Sequence, residues 1–204
     1  QQKALREFAR LCQNIPCDYE KLDSFVYSVN DRAKIEKEIA ALNSLGCKAR
    51  FSSGEVLPFP VAGAVGVNNQ AQFHPLKFAF EIAKNLPIYE NTKVLELMPG
   101  KVLTNRGQIS CKKIIVATHF PILNKHGSFF LKLYQHRSYV LALEGAQKVD
   151  GMYVDEDKKG LSFRNYGDRL LLGGGSHRTG KKGGNWRELE QFAAEHYPKA
   201  EITA

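Results

Sequence analysis

Between Thr92 and Pro121 the chain reads TKVLELMPGKVLTNRGQISCKKIIVATHFP, and no other stretch narrows the fold as much. Short β-rich runs are separated by Pro99-Gly100 and Arg106-Gly107. Such dipeptides turn the chain because proline presets φ and glycine accepts positive φ. The spacing predicts a three-stranded antiparallel meander. Its last run, Ile114-Ile115-Val116-Ala117, is apolar at every position, the pattern of a strand covered on both faces.

The flanking sequence alternates helices with strands. Leu5, Phe8, Ala9 and Cys12 recur at helical spacing, and Asp23–Val29 alternates as a strand does. Asn30-Asp31 caps a helix with Ile35, Ile39, Leu42 and Leu45 on its apolar stripe, closed by Gly46. Phe51–Asn69 is rich in Gly, Pro and Val and reads as short strands and turns. Pro75 opens a helix whose broad apolar face runs through Leu76, Phe78, Ala79, Ile82, Ala83 and Leu86, ending before Pro87. Later strands are expected at Tyr134–Leu143 and Arg169–Gly175, with weaker ones near Met152 and Phe163. A final helix runs from Trp186 to Tyr197, where core packing is the default for the single tryptophan. The fold class is therefore mixed α/β (α+β), a mixed sheet accompanied by the meander.

Composition sets outer limits. The 204 residues suffice for one large domain or two small ones, with 43% hydrophobic and 25% charged residues as in soluble globular proteins. No apolar run reaches the roughly 20 residues needed to span a bilayer, and the first residues lack the apolar region of a signal peptide. The chain begins without Met, as a piece cut from a longer protein would. The four cysteines show no zinc spacing, which predicts no metal site and suits a reducing cytoplasm. The net charge of +8 favours anionic partners, though the basic residues are mostly dispersed, which disfavours nucleic acid.

The densest basic patch lies in LLLGGGSHRTGKKGG, Leu170–Gly184. From Gly175 it follows the G-x-x-x-x-G-K pattern of a phosphate-binding loop and then departs from it. Lys182 stands where a Mg²⁺-binding hydroxyl belongs. Gly183-Gly184 occupy the first helical turn, each costing about 1 kcal/mol relative to Ala. A P-loop is excluded. The remaining readings are a glycine-rich strand end with solvated lysines, or a place where Gly173–Gly175 let a ligand approach the backbone beside His177 and Arg178.

The meander, with V-x-T, a turn glycine, I-x-x-x-x-I-I-V-A-T and a following proline, resembles the segment of the D-amino-acid oxidase and glycine oxidase family that ends in A-T-G. The Pro75–Leu86 helix before it, the strand at Tyr134–Leu143 after it, and L-L-x-G-G at Leu170–Gly174 follow the same family order. The resemblance also touches a branch whose full-length members carry a C-terminal Rieske iron–sulfur domain. It implies a central fragment of an FAD-dependent oxidoreductase: substrate-domain elements at 1–73, helix and meander of an incomplete FAD-binding domain at 74–125, and substrate-domain sheet and terminal helix at 126–204. Here His119 replaces the family glycine. No G-x-G-x-x-G occurs in the 204 residues, so the chain alone is expected to be inactive and to bind FAD weakly or not at all.

By the same resemblance, Val94, Ala117, Thr118 and His119 border the cofactor. On the substrate side the expected partner is a small amine or amino acid. Arg164 is the first candidate for its carboxylate, with Tyr166 beside it, since arginine makes bidentate charge-assisted hydrogen bonds. Arg178, Tyr139 and His177 complete the catalytic candidates. Strand alternation puts His136 and Ser138 on one face and Arg137 and Tyr139 on the other. The alternative is a non-catalytic domain that binds an anionic ligand or RNA through the basic loop 173–187.

Overall fold

The computed structural model describes residues 2–119, 122 and 128–204. The elements before the meander are α1 (Gln2–Cys12), β1 (Glu20–Ser28), α2 (Arg32–Ser44), β2 (Ala49–Ser52), β3 (Gly63–Gln72) and α3 (Pro75–Ala83). The meander is β4 (Val94–Met98), β5 (Lys101–Thr104) and β6 (Gly107–Ser110), followed by α4 (Phe129–Lys132). The remainder is β7 (His136–Glu144), β8 (Met152–Asp155), β9 (Ser162–Tyr166), β10 (Arg169–Arg178), α5 (Trp186–His196) and β11 (Glu201–Ile202). Two compact units result: residues up to Phe78 together with Gln135–Ala204, and Ala79–Tyr134.

The first unit is built on an eight-stranded sheet in the order β11-β7-β10-β9-β8-β1-β3-β2. Every pairing is antiparallel except β1 with β8. Leu170 and Leu172 alternate with Leu171 along β10, so the first two side chains share one face. In register with them on β9 and β7 are Asn165, Phe163, Leu143 and Leu141. Phe25, Tyr27 and Tyr153 extend this face, and Leu189, Ala193 and Tyr197 of the α5 region close over it. Phe25 stacks on Tyr153 at 4.4 Å, while Phe59 meets Tyr27, Phe163 and Phe192 within 6 Å. Each fully buried leucine or phenylalanine adds about 1.5–3 kcal/mol to folding.

The other face is only partly covered. In α2, Asp31 caps the helix by accepting from the Lys34 amide at 2.8 Å, and Gly46 leaves it at φ +79°. The Arg32 guanidinium lies 4.6 Å over the ring of Phe51, which pairs with Val65 across β2 and β3. Thus α2 shields that end of the sheet, where Ile35 and Val65 are buried. Towards β7 the same face is open: Val140 and Val154 are 53% and 46% exposed.

The second unit holds the expected meander, ordered β4-β5-β6. Its second turn is fixed by Thr104, whose hydroxyl donates to the Gly107 carbonyl at 2.8 Å and accepts from the Arg106 amide. Two expectations need correction. Ile114–Ala117 is not a strand: it has no regular structure, and Ile115 is 89% exposed. A strand covered on both faces needs hydrogen-bonded neighbours, and the three-stranded sheet ends at β6. The helix begun at Pro75 stops at Ala83, short of Leu86, and buries none of its residues. Its apolar stripe is only partly covered: Phe78 packs on Phe8 and Phe73 at 5.7 and 5.5 Å, while Leu76, Phe80 and Ile82 stay exposed.

Candidate functional site

Of the residues singled out in the sequence, Tyr139, His177 and Arg178 lie at the glycine-rich end of β10. The strand does not stop at Gly174; it continues to Arg178, pairing His177 with Arg137 and Arg178 with His136. Between Gly174 and His177 the register slips by one residue, with Gly175 at φ +62°. This is a β-bulge with glycine in the left-handed region, the residue for which that conformation carries no Cβ penalty. The loop beyond folds back on the bulge. A Cβ on Gly184 would meet the Gly175 carbonyl oxygen in hard overlap, and one on Gly183 would lie 2.8 Å from the His177 Cβ. The glycines pack loop against strand, which is a different task from cradling a phosphate.

The bulge sorts the candidates onto two faces. Tyr139, opposite Gly174, and His177, opposite Arg137, point to the helix-bearing face. The Tyr139 hydroxyl and His177 Nε2 are 3.1 Å apart, and His177 Nδ1 is 3.1 Å from the Arg178 carbonyl. A carbonyl only accepts, so Nδ1 carries the proton in the neutral ring and Tyr139 donates to Nε2. Trp186 stands edge-on to Tyr139 at 4.7 Å and is 53% exposed, so it is not the core residue expected. It sits at the first turn of α5, where Leu189 and Ala193 are the residues that turn inward.

Arg164 lies on the opposite face, in register with Leu171 and Ala142, exposed and beside the open valines. Arg178 and His136 share that face. Seven residues of β10 separate Arg178 from the Arg164 register, about 20 Å of strand. Ser138 and Ser176 lie between them, their hydroxyls 2.8 Å apart. The five catalytic candidates therefore do not converge on one pocket wall. Tyr166 is engaged elsewhere: its hydroxyl donates to Asp18 at 2.9 Å, and Lys77 donates to the same carboxylate at 2.7 Å. Those two hydrogen bonds, Lys77 first, hold the Asp18 carboxyl below its usual range.

Sequence reading missed the serine pair and the Asp18 cluster. Ser176 meets Ser138 only because of the bulge, for which Gly175 was the one visible sign. Asp18 and Tyr166 are 148 residues apart, and no local pattern links them.

In the second unit Val94 opens β4 opposite Thr104, 37% exposed. Ala117, Thr118 and His119 are exposed and outside regular structure. His119 adopts φ +60°. At the position where the family resemblance places glycine, the backbone has the left-handed conformation glycine favours, and histidine is among the residues that tolerate it best. The backbone at His119 thus keeps the conformation that a glycine there would favour. The glycine-rich loop that would hold a pyrophosphate is not among the 204 residues. Among the described residues no three His, Cys, Asp or Glu side chains are grouped to hold a metal, and no helix is long and apolar enough to cross a membrane.

The fold is that of the amino-acid and glycine oxidase class, as the resemblance in the sequence led us to expect. Superposed on L-proline dehydrogenase from P. horikoshii, the chain matches over 100% of its length and 64% of that enzyme, at 13% identity and a TM-score of 0.75. On glycine oxidase from Geobacillus kaustophilus it matches over 100% of its length and 62% of that chain, at 16% identity and a TM-score of 0.73. In sequence it is 31% identical over 183 residues to YhfW of Bacillus subtilis (strain 168), which bears a provisional Rieske 2Fe-2S iron-sulfur name, covering 82% of this chain and 36% of that protein. The chain thus spans about a third of that relative, whose name agrees with the Rieske-bearing branch. No protein-family profile matches the chain.

Proposed function

We propose that this chain is the central part of an FAD-dependent oxidoreductase that oxidises a C–N bond of an amine or amino acid by hydride transfer to flavin. The observation that carries this reading is the match of the entire chain to glycine oxidase and L-proline dehydrogenase. In it, residues up to Phe78 with Gln135–Ala204 serve as the substrate domain, and Ala79–Tyr134 as part of the FAD-binding domain. Val94, Ala117, Thr118 and His119 would line the cofactor. Bound flavin supplies the two-electron acceptor for the hydrogen leaving the substrate's α-carbon.

The chain's own contribution is binding and orientation. Arg164, exposed on the open sheet face, offers a planar fork of donors to a substrate carboxylate. Val140 and Val154 on that face exclude water from the substrate's apolar part. Tyr139 and His177 lie behind the sheet. Their hydrogen bond fixes the end of β10 and the Arg178 carbonyl, a positioning role rather than one at the reacting atoms. The small acid–base inventory suits this chemistry, since hydride transfer to a flavin asks the protein mainly to hold the substrate in line.

The full-length protein should be yellow and bleach when mixed anaerobically with its amino-acid substrate. Colourless full-length protein that cannot be reconstituted with FAD would overturn the reading. Arg164→Lys, which keeps the charge and loses the fork, should raise KM for carboxylate substrates about tenfold and leave amines without a carboxylate little changed.

A further inference from the structure

Apart from the open face with Arg164, the described residues carry a strongly charged surface at the ribbon end of β7 and β10. Arg137, Lys181, Lys182 and Arg187 are all exposed there, and no Asp or Glu occurs from 169 to 187 or from 133 to 143. Among the described residues Lys181, Lys182 and Arg187 make no salt bridge. The loop bearing Lys181 and Lys182 is held in shape: Lys181 N–H bonds the Arg178 carbonyl at 3.0 Å, Thr179 N–H bonds the Gln135 carbonyl at 2.9 Å, and Gly183-Gly184 pack against His177 and Gly175. Beside the cations Trp186 presents an indole that is 53% exposed, braced edge-on by Tyr139. Like charges gathered on a fixed loop repel one another, and an exposed tryptophan gains nothing from water. An exposed aromatic on a surface with Lys181, Lys182 and Arg187 is the composition of a docking surface for an acidic protein.

We infer that the surface formed by Arg137, Lys181, Lys182, Trp186 and Arg187 docks a separate, acidic electron-carrier protein that collects electrons from the reduced enzyme. The inference rests on the flavoprotein reading above, because such an enzyme must pass its two electrons on before it can turn over again. A patch confined to one ribbon end and one short loop suits the small, charge-steered encounters of redox partners. A nucleic acid would favour a longer cationic track with several stacking rings.

The test uses the full-length protein, loaded with FAD and reduced by substrate, with an acidic plant-type 2Fe–2S ferredoxin as probe and neutral menadione as reference acceptor. The variant is Lys181→Glu/Lys182→Glu/Arg187→Glu. The control, Lys37→Glu/Lys48→Glu/Lys199→Glu, makes the same change in net charge at distant exposed sites. We expect the first variant to lower the bimolecular rate with ferredoxin at least about tenfold and to flatten its dependence on salt, with the menadione rate retained. Equal losses in variant and control, equal losses with both acceptors, or a wild-type ferredoxin rate indifferent to salt would each overturn it. So would tight binding of a single-stranded RNA oligonucleotide abolished by the same variant. A protein that shows no flavin absorbance before any acceptor is added refutes the underlying reading instead, and that result is seen separately.

Discussion

At the scale of single residues, the glycines of the β10 end do unlike work. Gly175 is present for its φ of +62°, whereas Gly184 is present for lack of a side chain, because its Cβ would overlap the Gly175 carbonyl. Gly184→Ala must therefore push the loop from the strand, at a cost of about 1–3 kcal/mol, visible as a lowered urea midpoint of the 204-residue chain. Asp18 makes a prediction about acid. Its carboxyl is held below the usual range by Lys77 and Tyr166. A depressed native value contributes stability above the unfolded value of about 4, and that contribution disappears as pH falls through the native value. Thermal melts of Asp18→Asn should match wild type at low pH and fall below it at neutral pH. A gap that stays constant across the acid range would contradict this. Neither glycine's task nor the Asp18 pair can be read from neighbours in sequence, since each depends on a surface brought from elsewhere in the chain.

At the scale of elements, strand periodicity carried most of the information. The alternation in His136–Leu143 placed His136 with Ser138 and Arg137 with Tyr139, and the sheet keeps those pairs on opposite faces. Beyond Gly174 simple alternation along β10 no longer holds, because a bulge shifts every later side chain to the other face. That slip brings His177 under Tyr139. Tyr139→Phe should lower stability by about 1 kcal/mol, the worth of one partly buried hydrogen bond that leaves His177 Nε2 unsatisfied. Leu172→Ala, in the same strand and fully buried, should cost about 2–5 kcal/mol by denaturant unfolding. The helix at α3 and the run Ile114–Ala117 show the opposite failure. Their apolar patterns are as strong as those of β10, yet periodicity states only that a face needs cover, never where the cover comes from.

At the scale of the whole molecule, three buried tyrosines set the alkaline limit. Burial raises all three hydroxyls, Tyr197 to about 12 and Tyr27 and Tyr153 further. Unfolded tyrosine ionises near 10, so their contribution is complete below that value and is lost as pH rises towards the native values. Stability should fall steadily above about pH 10, with Tyr27→Phe flattening the slope in equilibrium melts. The two-unit organisation also makes a binding prediction. No glycine-rich pyrophosphate loop occurs in the 204 residues, so FAD titrated into the chain should bind weakly, where a stoichiometric titration would contradict us.

By itself, the sequence determined the meander, the order of strands and helices, the exclusion of a P-loop and the likeness to amino-acid oxidases. The first three rest on local turn chemistry and on the two periods of 2 and 3.6 residues, and the likeness rests on the resemblance of the meander and the motifs around it to that family. Only the tertiary structure decided that Arg164 and Tyr139 occupy opposite faces, that Tyr166 is bound to Asp18, and that Trp186 stands exposed against Tyr139. Those outcomes depend on one bulge and on contacts up to 148 residues apart. Local pattern leaves such pairings open, because closing so long a loop is rewarded only when the whole sheet assembles.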